Sequence, residues 1–167
     1  MRPIAFLDRD GTLNQKAPEG QYTTEAELKM IPGSAQAVAM LSRAGYINIV
    51  VSNQQGIAKG LLTHRQVERV NQMVAQEVQE AGGQIEQFLF CPHLAGTCQC
   101  RKPKVGMLEE VKQSIQQVDW ERSVLIGDAI TDMQAAKSFG IRGIRVGTKD
   151  IPDLKYAVTE LLQQDPA

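Results

Sequence analysis

Ile4-Ala5-Phe6-Leu7-Asp8-Arg9-Asp10-Gly11-Thr12 sets four apolar residues directly before two carboxylates, a glycine and a hydroxyl. Four consecutive apolar residues read as a short strand buried on both faces, as in a parallel sheet. The carboxylates then stand where that strand ends, and Gly11 permits the chain to turn there. Two carboxylates so placed could face one metal ion, while Asp and Gly are equally at home in a solvated loop. The stretch alone leaves both readings open.

Further runs of the same kind occur at residues 47–51, 88–91, 123–126 and 143–146, with amphipathic stretches between them. One helix is expected from Ser34, carrying Val38 and Leu41 and stopping at Gly45. A second begins at Thr63 with Gln66 as its capping-box partner, presents Val67, Val70, Val74 and Val78, and ends at Gly82-Gly83. A third runs from about Gly106 through Met107, Leu108 and Val111, and a fourth covers 131–139 and stops at Gly140. A closing helix at 156–162 precedes a loose tail. This alternation predicts an α/β fold, a Rossmann-like three-layer sandwich around a mostly parallel sheet. Asp8, Ser52 and Asp128 each fall at or just beyond the end of an apolar run. Ligands bind in the crevice at the carboxyl ends of such strands, so the three are expected to converge.

The chain has 167 residues, room for one domain spanning 1–167. Its net charge of −1 argues against a general nucleic-acid or anionic-membrane surface. No apolar run approaches bilayer length, and residues 4–7 are too short for a signal-peptide core. The expectation is a cytoplasmic monomer that acts on a small phosphorylated metabolite and engages neither nucleic acid nor membrane. Neither Gly-x-x-x-x-Gly-Lys-Ser/Thr nor Gly-x-Gly-x-x-Gly is present, which disfavours a nucleotide-binding protein.

Phosphoryl transfer needs a nucleophile, a proton donor for the leaving oxygen, a divalent cation and positive charge on the transferring oxygens. Ser52 can donate a hydrogen bond to a phosphoryl group, and Lys102 in Cys100-Arg101-Lys102-Pro103 can neutralise its charge. Asp128 in Gly127-Asp128 offers a hard oxygen ligand for magnesium, with Asp132 in support. The order Asp-x-Asp-Gly-Thr, Ser-Asn-Gln, Arg-Lys-Pro, Gly-Asp-x-x-x-Asp resembles the four motifs of the haloacid dehalogenase superfamily, over residues 4 to about 147. The resemblance implies Asp8 as nucleophile and Asp10 as general acid and base. It also implies magnesium on the Asp8 and Asp128 carboxylates and the Asp10 backbone carbonyl. Asp at the second position is similar to the phosphatases of that superfamily rather than its ion pumps.

All three cysteines and one of two histidines fall in Cys91-Pro92-His93 and Cys98-Gln99-Cys100. Three sulfurs and one imidazole within ten residues suit a structural zinc ion better than a cluster of buried thiols beside an unrelated histidine. The other histidine, His64, opens a helix and is expected in solvent. A zinc loop at 91–100 resembles the subgroup whose members act on heptose bisphosphate or on histidinol phosphate. That likeness implies structural zinc fixing Arg101 and Lys102. The segment Asn53-Gln54-Gln55-Gly56-Ile57-Ala58-Lys59-Gly60 is similar to the heptose branch, as is Gly106-Met107-Leu108. The five-residue step from His93 to Cys98 is nearer the histidinol-phosphate branch, and Ala129 stands where many relatives carry a basic residue. Substrate contacts are expected from Asn53, Gln54, Gln55 and Arg101, and from the loop at 17–22. Forty-three positions from Asp10 to Asn53 leave no space for a large cap domain.

Overall fold

The computed structural model describes residues 1–164. Strands β1 (Ile4–Leu7), β2 (Ile47–Asn53), β3 (Gln87–Cys91), β4 (Val124–Gly127) and β5 (Arg142–Arg145) form one sheet in the order β3-β2-β1-β4-β5. Every pairing is parallel. The helices are α1 (Ser34–Arg43), α2 (His64–Glu80), α3 (Gly106–Ser114), α4 (Ile130–Phe139) and α5 (Leu154–Gln164).

Side chains alternate across a strand, so one apolar run can feed two cores. Ala5 and Leu7 pack in the cluster that holds Val38 and Leu41 of α1, Val70, Val74 and Val78 of α2, and Leu154 and Val158 of α5. Ile4 and Phe6 point the other way, to Met107, Leu108 and Val111 of α3 and Ala135 and Ala136 of α4. The result is the three-layer sandwich expected from the alternation of runs. α2 starts as its capping box requires: Thr63 Oγ1 accepts from the Gln66 N–H at 3.1 Å, and Gln66 Oε1 accepts from the Thr63 N–H at 2.9 Å. Between Asp10 and Asn53 lie the turn Glu25–Glu27, α1 and most of β2, and no cap domain. No helix among the described residues is long and apolar enough to cross a membrane.

The ends of elements differ from the sequence reading by a few residues. β2 continues through Ser52 and Asn53, because β3 pairs alongside as far as Cys91. β5 is Arg142–Arg145 rather than 143–146, since Arg142 pairs with Val124 and the ladder ends with Arg145 opposite Gly127. α5 begins at Leu154 and runs to Gln164, so the first of the expected tail is helical, and 165–167 lie outside the described residues.

The register places the chemistry. Leu7 pairs with Val50 on one side and Ile126 on the other. Asp8, Ser52 and Asp128 therefore reach the same edge of the sheet. Strand order reverses between β1 and β4, and a ligand crevice opens at such a switch point.

Candidate active site

Asp8 follows β1 directly, and its N–H donates to the Ile126 carbonyl at 3.0 Å. The chain then wraps over the Arg9 carbonyl, which accepts from the N–H groups of Thr12, Leu13 and Asn14 at 3.2, 2.8 and 3.2 Å. Gly11 makes that wrap possible with φ +84°, and a Cβ there would stand 2.2 Å from Asp128 Oδ2. The Asp128 carboxylate, one residue beyond β4, thus lies against the turn that follows β1.

Lys102 comes to this edge on the loop between β3 and α3. Its ammonium, 2% exposed, lies 2.9 Å from Asp8 Oδ1 and 2.6 Å from Asp132 Oδ1, and donates to the Val51 carbonyl at 2.7 Å. Asn53 fixes the loop: its Oδ1 accepts from the Lys102 N–H at 3.0 Å and its Nδ2 donates to the Lys102 carbonyl at 3.1 Å. Burial pulls the Lys102 ammonium down, but Asp8 and Asp132 outweigh it and hold it above the usual lysine value. For Asp8 burial wins, with Asp132 and Asp128 adding to it and Lys102 opposing, so its carboxyl sits well above the ordinary range. An Asp8 carboxyl so placed favours a cation that lets it ionise.

Asp10 is enclosed by donors. Arg9 Nη2 reaches its Oδ1 and Oδ2 at 3.1 and 3.3 Å, Asn14 Nδ2 its Oδ1 at 2.9 Å, and Gln54 Nε2 its Oδ2 at 2.8 Å. Gln54 Nε2 also lies 3.4 Å from Ser52 Oγ, and Ser52 is only 1% exposed.

Two clusters have the donor chemistry of metal sites. One carboxylate oxygen from each of Asp8, Asp128 and Asp132 lies within 4.8 Å of the others. With Asp10 they make four carboxylates against two buried cations, Arg9 and Lys102, an imbalance of the size a divalent ion supplies. Hard oxygen donors fit magnesium. Asp132 is committed to Lys102 and to the Ala129 N–H at 3.1 Å, which leaves Asp8 and Asp128 as the carboxylates able to turn to an ion.

The second cluster is Cys91, His93, Cys98 and Cys100. Cys100 Sγ is 2.9 Å from Cys91 Sγ and 3.2 Å from His93 Nδ1, and Cys91 Sγ is 3.5 Å from both Cys98 Sγ and His93 Nδ1. Four ligands around one zinc ion stand roughly 3.3–3.8 Å apart, so this set is slightly contracted but has the right composition. Burial pushes the Cys98 thiol up, yet the Arg101 N–H and the other two thiols outweigh it and bring it to about 6. Burial and both neighbouring thiols push Cys100 up to about 12. Such crowding of sulfurs calls for a cation between them. His64 is exposed as expected, its ring 5.8 Å from that of Phe90.

A cleft of about 320 Å³ opens over Asp8, Asp10, Lys102 and Asp128, walled by the 17–22 loop on one side and by Gln55 and Arg101 on others. Asn53 and Gln54 also line it, but their amides are spent on Lys102 and Asp10. Tyr22 closes the wall by packing on Gly56, where a Cβ would stand 2.8 Å from its ring.

Sequence reasoning passed over Arg9, Asn14, Asn71 and Lys16. Asn71 Oδ1 accepts from Arg9 Nη1 at 2.9 Å, and Lys16 Nζ is 3.9 Å from Asp128 Oδ2. Asn71 did leave a signal: it interrupts the apolar stripe of Val67, Val70, Val74 and Val78 at a buried helical position.

The polynucleotide kinase 3 phosphatase family profile matches residues 3–159. The D-glycero-beta-D-manno-heptose-1,7-bisphosphate 7-phosphatase of Rhodopseudomonas palustris is 37% identical over 158 residues, which cover 90% of this chain and 86% of that protein. The chain belongs to this family of haloacid dehalogenase-superfamily phosphatases. Within the family, the D,D-heptose 1,7-bisphosphate phosphatase of B. bronchiseptica, crystallised with magnesium and phosphate, superimposes with a TM-score of 0.88 at 28% identity, over 99% of this chain and 100% of that one. The Stenotrophomonas maltophilia histidine biosynthesis bifunctional protein HisB is 30% identical over 167 residues, 96% of this chain but 46% of that longer protein.

Proposed function

We propose that this chain is a magnesium-dependent phosphatase that removes the 7-phosphate of D-glycero-D-manno-heptose 1,7-bisphosphate through an aspartyl-phosphate on Asp8. The observation that carries the reading is the buried Lys102 ammonium between Asp8 and Asp132 at the switch point, beside the enclosed Asp10. Asp8 Oδ attacks phosphorus while Asp10 gives its proton to the departing sugar oxygen. Asp10 then takes a proton from the water that attacks the aspartyl-phosphate, returning Asp8 as a carboxylate. Lys102 and the Ser52 hydroxyl serve the transferring oxygens, and Asp132 holds Lys102 in place. Asp8, Asp128 and the Asp10 carbonyl are the groups that would hold magnesium, which when bound neutralises the phosphoryl oxygens. Cys91, His93, Cys98 and Cys100 would hold zinc as a structural ion, fixing the loop that carries Arg101 and Lys102. With all four ligands from protein, that site keeps no position open for chemistry.

Arg101, Gln55 and Lys16 supply polar groups to the cleft, where a bisphosphate presents a second dianion. The cleft's size suits a small sugar phosphate better than a polymer or a membrane surface, and we read the chain as a cytoplasmic, single-domain monomer. Histidinol phosphate is the second reading, favoured by the HisB match and by Glu19 in the cleft wall, an acid that could meet a cationic amine. Phosphate release from heptose 1,7-bisphosphate, histidinol phosphate and a 3′-phosphorylated oligonucleotide, with magnesium present, decides among them. The heptose ester is expected to give the highest kcat/KM, and Asp8→Asn to abolish turnover. A tenfold preference for histidinol phosphate, about 1.4 kcal/mol, would hand the assignment to the second reading.

A further inference from the structure

Arg9 is the bulkiest fully buried side chain of the protein, among the described residues, and it carries a charge. A buried guanidinium cannot shed its proton and must be paired. Its Nη2 spans both oxygens of Asp10, at 3.1 and 3.3 Å, and its Nη1 donates to Asn71 Oδ1 at 2.9 Å. A guanidinium offers no acceptor, so the Asn71 amide has to turn its oxygen toward it, and a carboxylate likewise draws the nitrogens of Asn14 and Gln54. Asn71 rides on the buried face of α2, between Val67, Val70 and Val74, and is itself 6% exposed. The helix is thus connected to Asp10 by an unbroken polar line through Asn71 and Arg9.

We propose that Arg9, oriented by Asn71, is a positioning residue that fixes the Asp10 carboxyl group for proton transfer. The inference rests on the phosphatase reading above. Arg9, Asn14 and Gln54 place four contacts on the carboxylate, which has about four acceptor sites. When Asp10 carries a proton, one neighbour has to give way. Gln54 can do so by turning its amide oxygen to the acid, because an amide both donates and accepts. Arg9 can only donate and is tied down at Asn71, so it holds the group's orientation while the proton comes and goes.

Asn71→Leu removes the acceptor while keeping the branched heavy-atom skeleton, and Asn71→Asp keeps the acceptor. The readout is kcat/KM with two esters in the presence of magnesium, one an alkyl phosphate and one p-nitrophenyl phosphate. For both, kcat/KM covers only the steps up to departure of the leaving group, and only the alkyl oxygen needs a proton to leave. Asn71→Leu is expected to lose at least tenfold with the alkyl ester and no more than about twofold with the aryl ester. Asn71→Asp is expected to recover to within about threefold of the parent protein with both. Equal losses on the two esters, or no loss on either, would overturn the proposal, as would an Asn71→Asp variant as poor as Asn71→Leu. If Asn71→Leu does not fold, by circular dichroism and thermal melting, Asn71→Ala takes its place with the same expectations. If the parent protein releases phosphate neither from these esters nor from heptose 1,7-bisphosphate or histidinol phosphate, the phosphatase reading fails. The role in proton transfer then falls with it, and the orienting hold of Arg9 and Asn71 on Asp10 is read separately from a crystal structure of the variant, where an unmoved Asp10 carboxylate refutes that hold and a rotated one supports it.

Discussion

Replacing Gly11 by alanine tests how the active site is assembled. Gly11 has φ +84°, and an alanine forced into that region costs about 1–2 kcal/mol. For a chain of this length that is a fall in Tm of roughly 2–8 °C. The new Cβ would also stand 2.2 Å from Asp128 Oδ2 and 2.6 Å from its carboxyl carbon. Ordinary contact needs at least about 3.4 Å, so the carboxylate has to retreat by more than about 1 Å. A hard ion that demands near-ideal geometry does not tolerate a ligand displaced that far. Gly140→Ala is the control: φ is +90° there as well, but nothing lies within 4 Å of the added methyl. Both variants should lose similar thermal stability, whereas only Gly11→Ala should bind magnesium at least tenfold more weakly, about 1.4 kcal/mol, by isothermal titration calorimetry. Magnesium binding by Gly11→Ala within twofold of the parent protein, or an equal loss in Gly140→Ala, would refute the reasoning.

Lys102→Met leaves Asp8 and Asp132 buried without their shared cation and should cost about 3–5 kcal/mol in denaturant unfolding of the metal-free protein, with turnover lost as well. The pH dependence follows from Asp8, whose carboxyl lies well above its ordinary 3.8. A folded-state value raised in this way means stability that is complete below 3.8 and is lost as pH rises through the higher value, where the buried group ionises. Metal-free protein should therefore lose stability across that window relative to Asp8→Asn, and magnesium, which binds the anion, should restore it and bind more tightly as pH rises. Cys98→Ser should lower zinc content, Tm and activity together, and metal analysis of unchelated parent protein should return about one zinc ion per chain.

Why the fold was legible in the sequence can be seen in β1 and α2. Ile4 to Leu7 are apolar without interruption because both faces of the central strand are covered, one by α1, α2 and α5 and the other by α3 and α4. The valine stripe of α2 has one period and one partner surface, so its register shows directly. Asp8, Asp10, Lys102 and Asp128 were legible because each is a charged residue in a motif at a strand end or in a loop. The surroundings of Asp10 were not. Arg9 looks from sequence like one more polar residue in a loop, and its burial depends on Asn71, 62 positions away. Asn53 and Gln54 were expected to meet substrate, since an amide at or just beyond a strand end gives no sign of which neighbour will take its hydrogen bonds. Only the tertiary fold shows that they are engaged by Lys102 and Asp10.

The strand order also sets a timetable. β1 lies at the centre of the sheet, yet one of its two neighbours, β4, is made far later: the Ile4 N–H meets the Ser123 hydroxyl across 119 positions. At ribosomal speeds of about 5–20 residues per second, that edge of β1 waits roughly 6–24 s for its partner to be synthesised. Until then a short strand without a single charged side chain stands open along one side, where a passing chain could pair with it. Asp8 waits with it, since Lys102 joins it across 94 positions and Asp132 comes later still. The crevice thus closes only after β4 and α4 are made, and a chain cut between β3 and β4 retains the nucleophile on a sheet open along its middle strand.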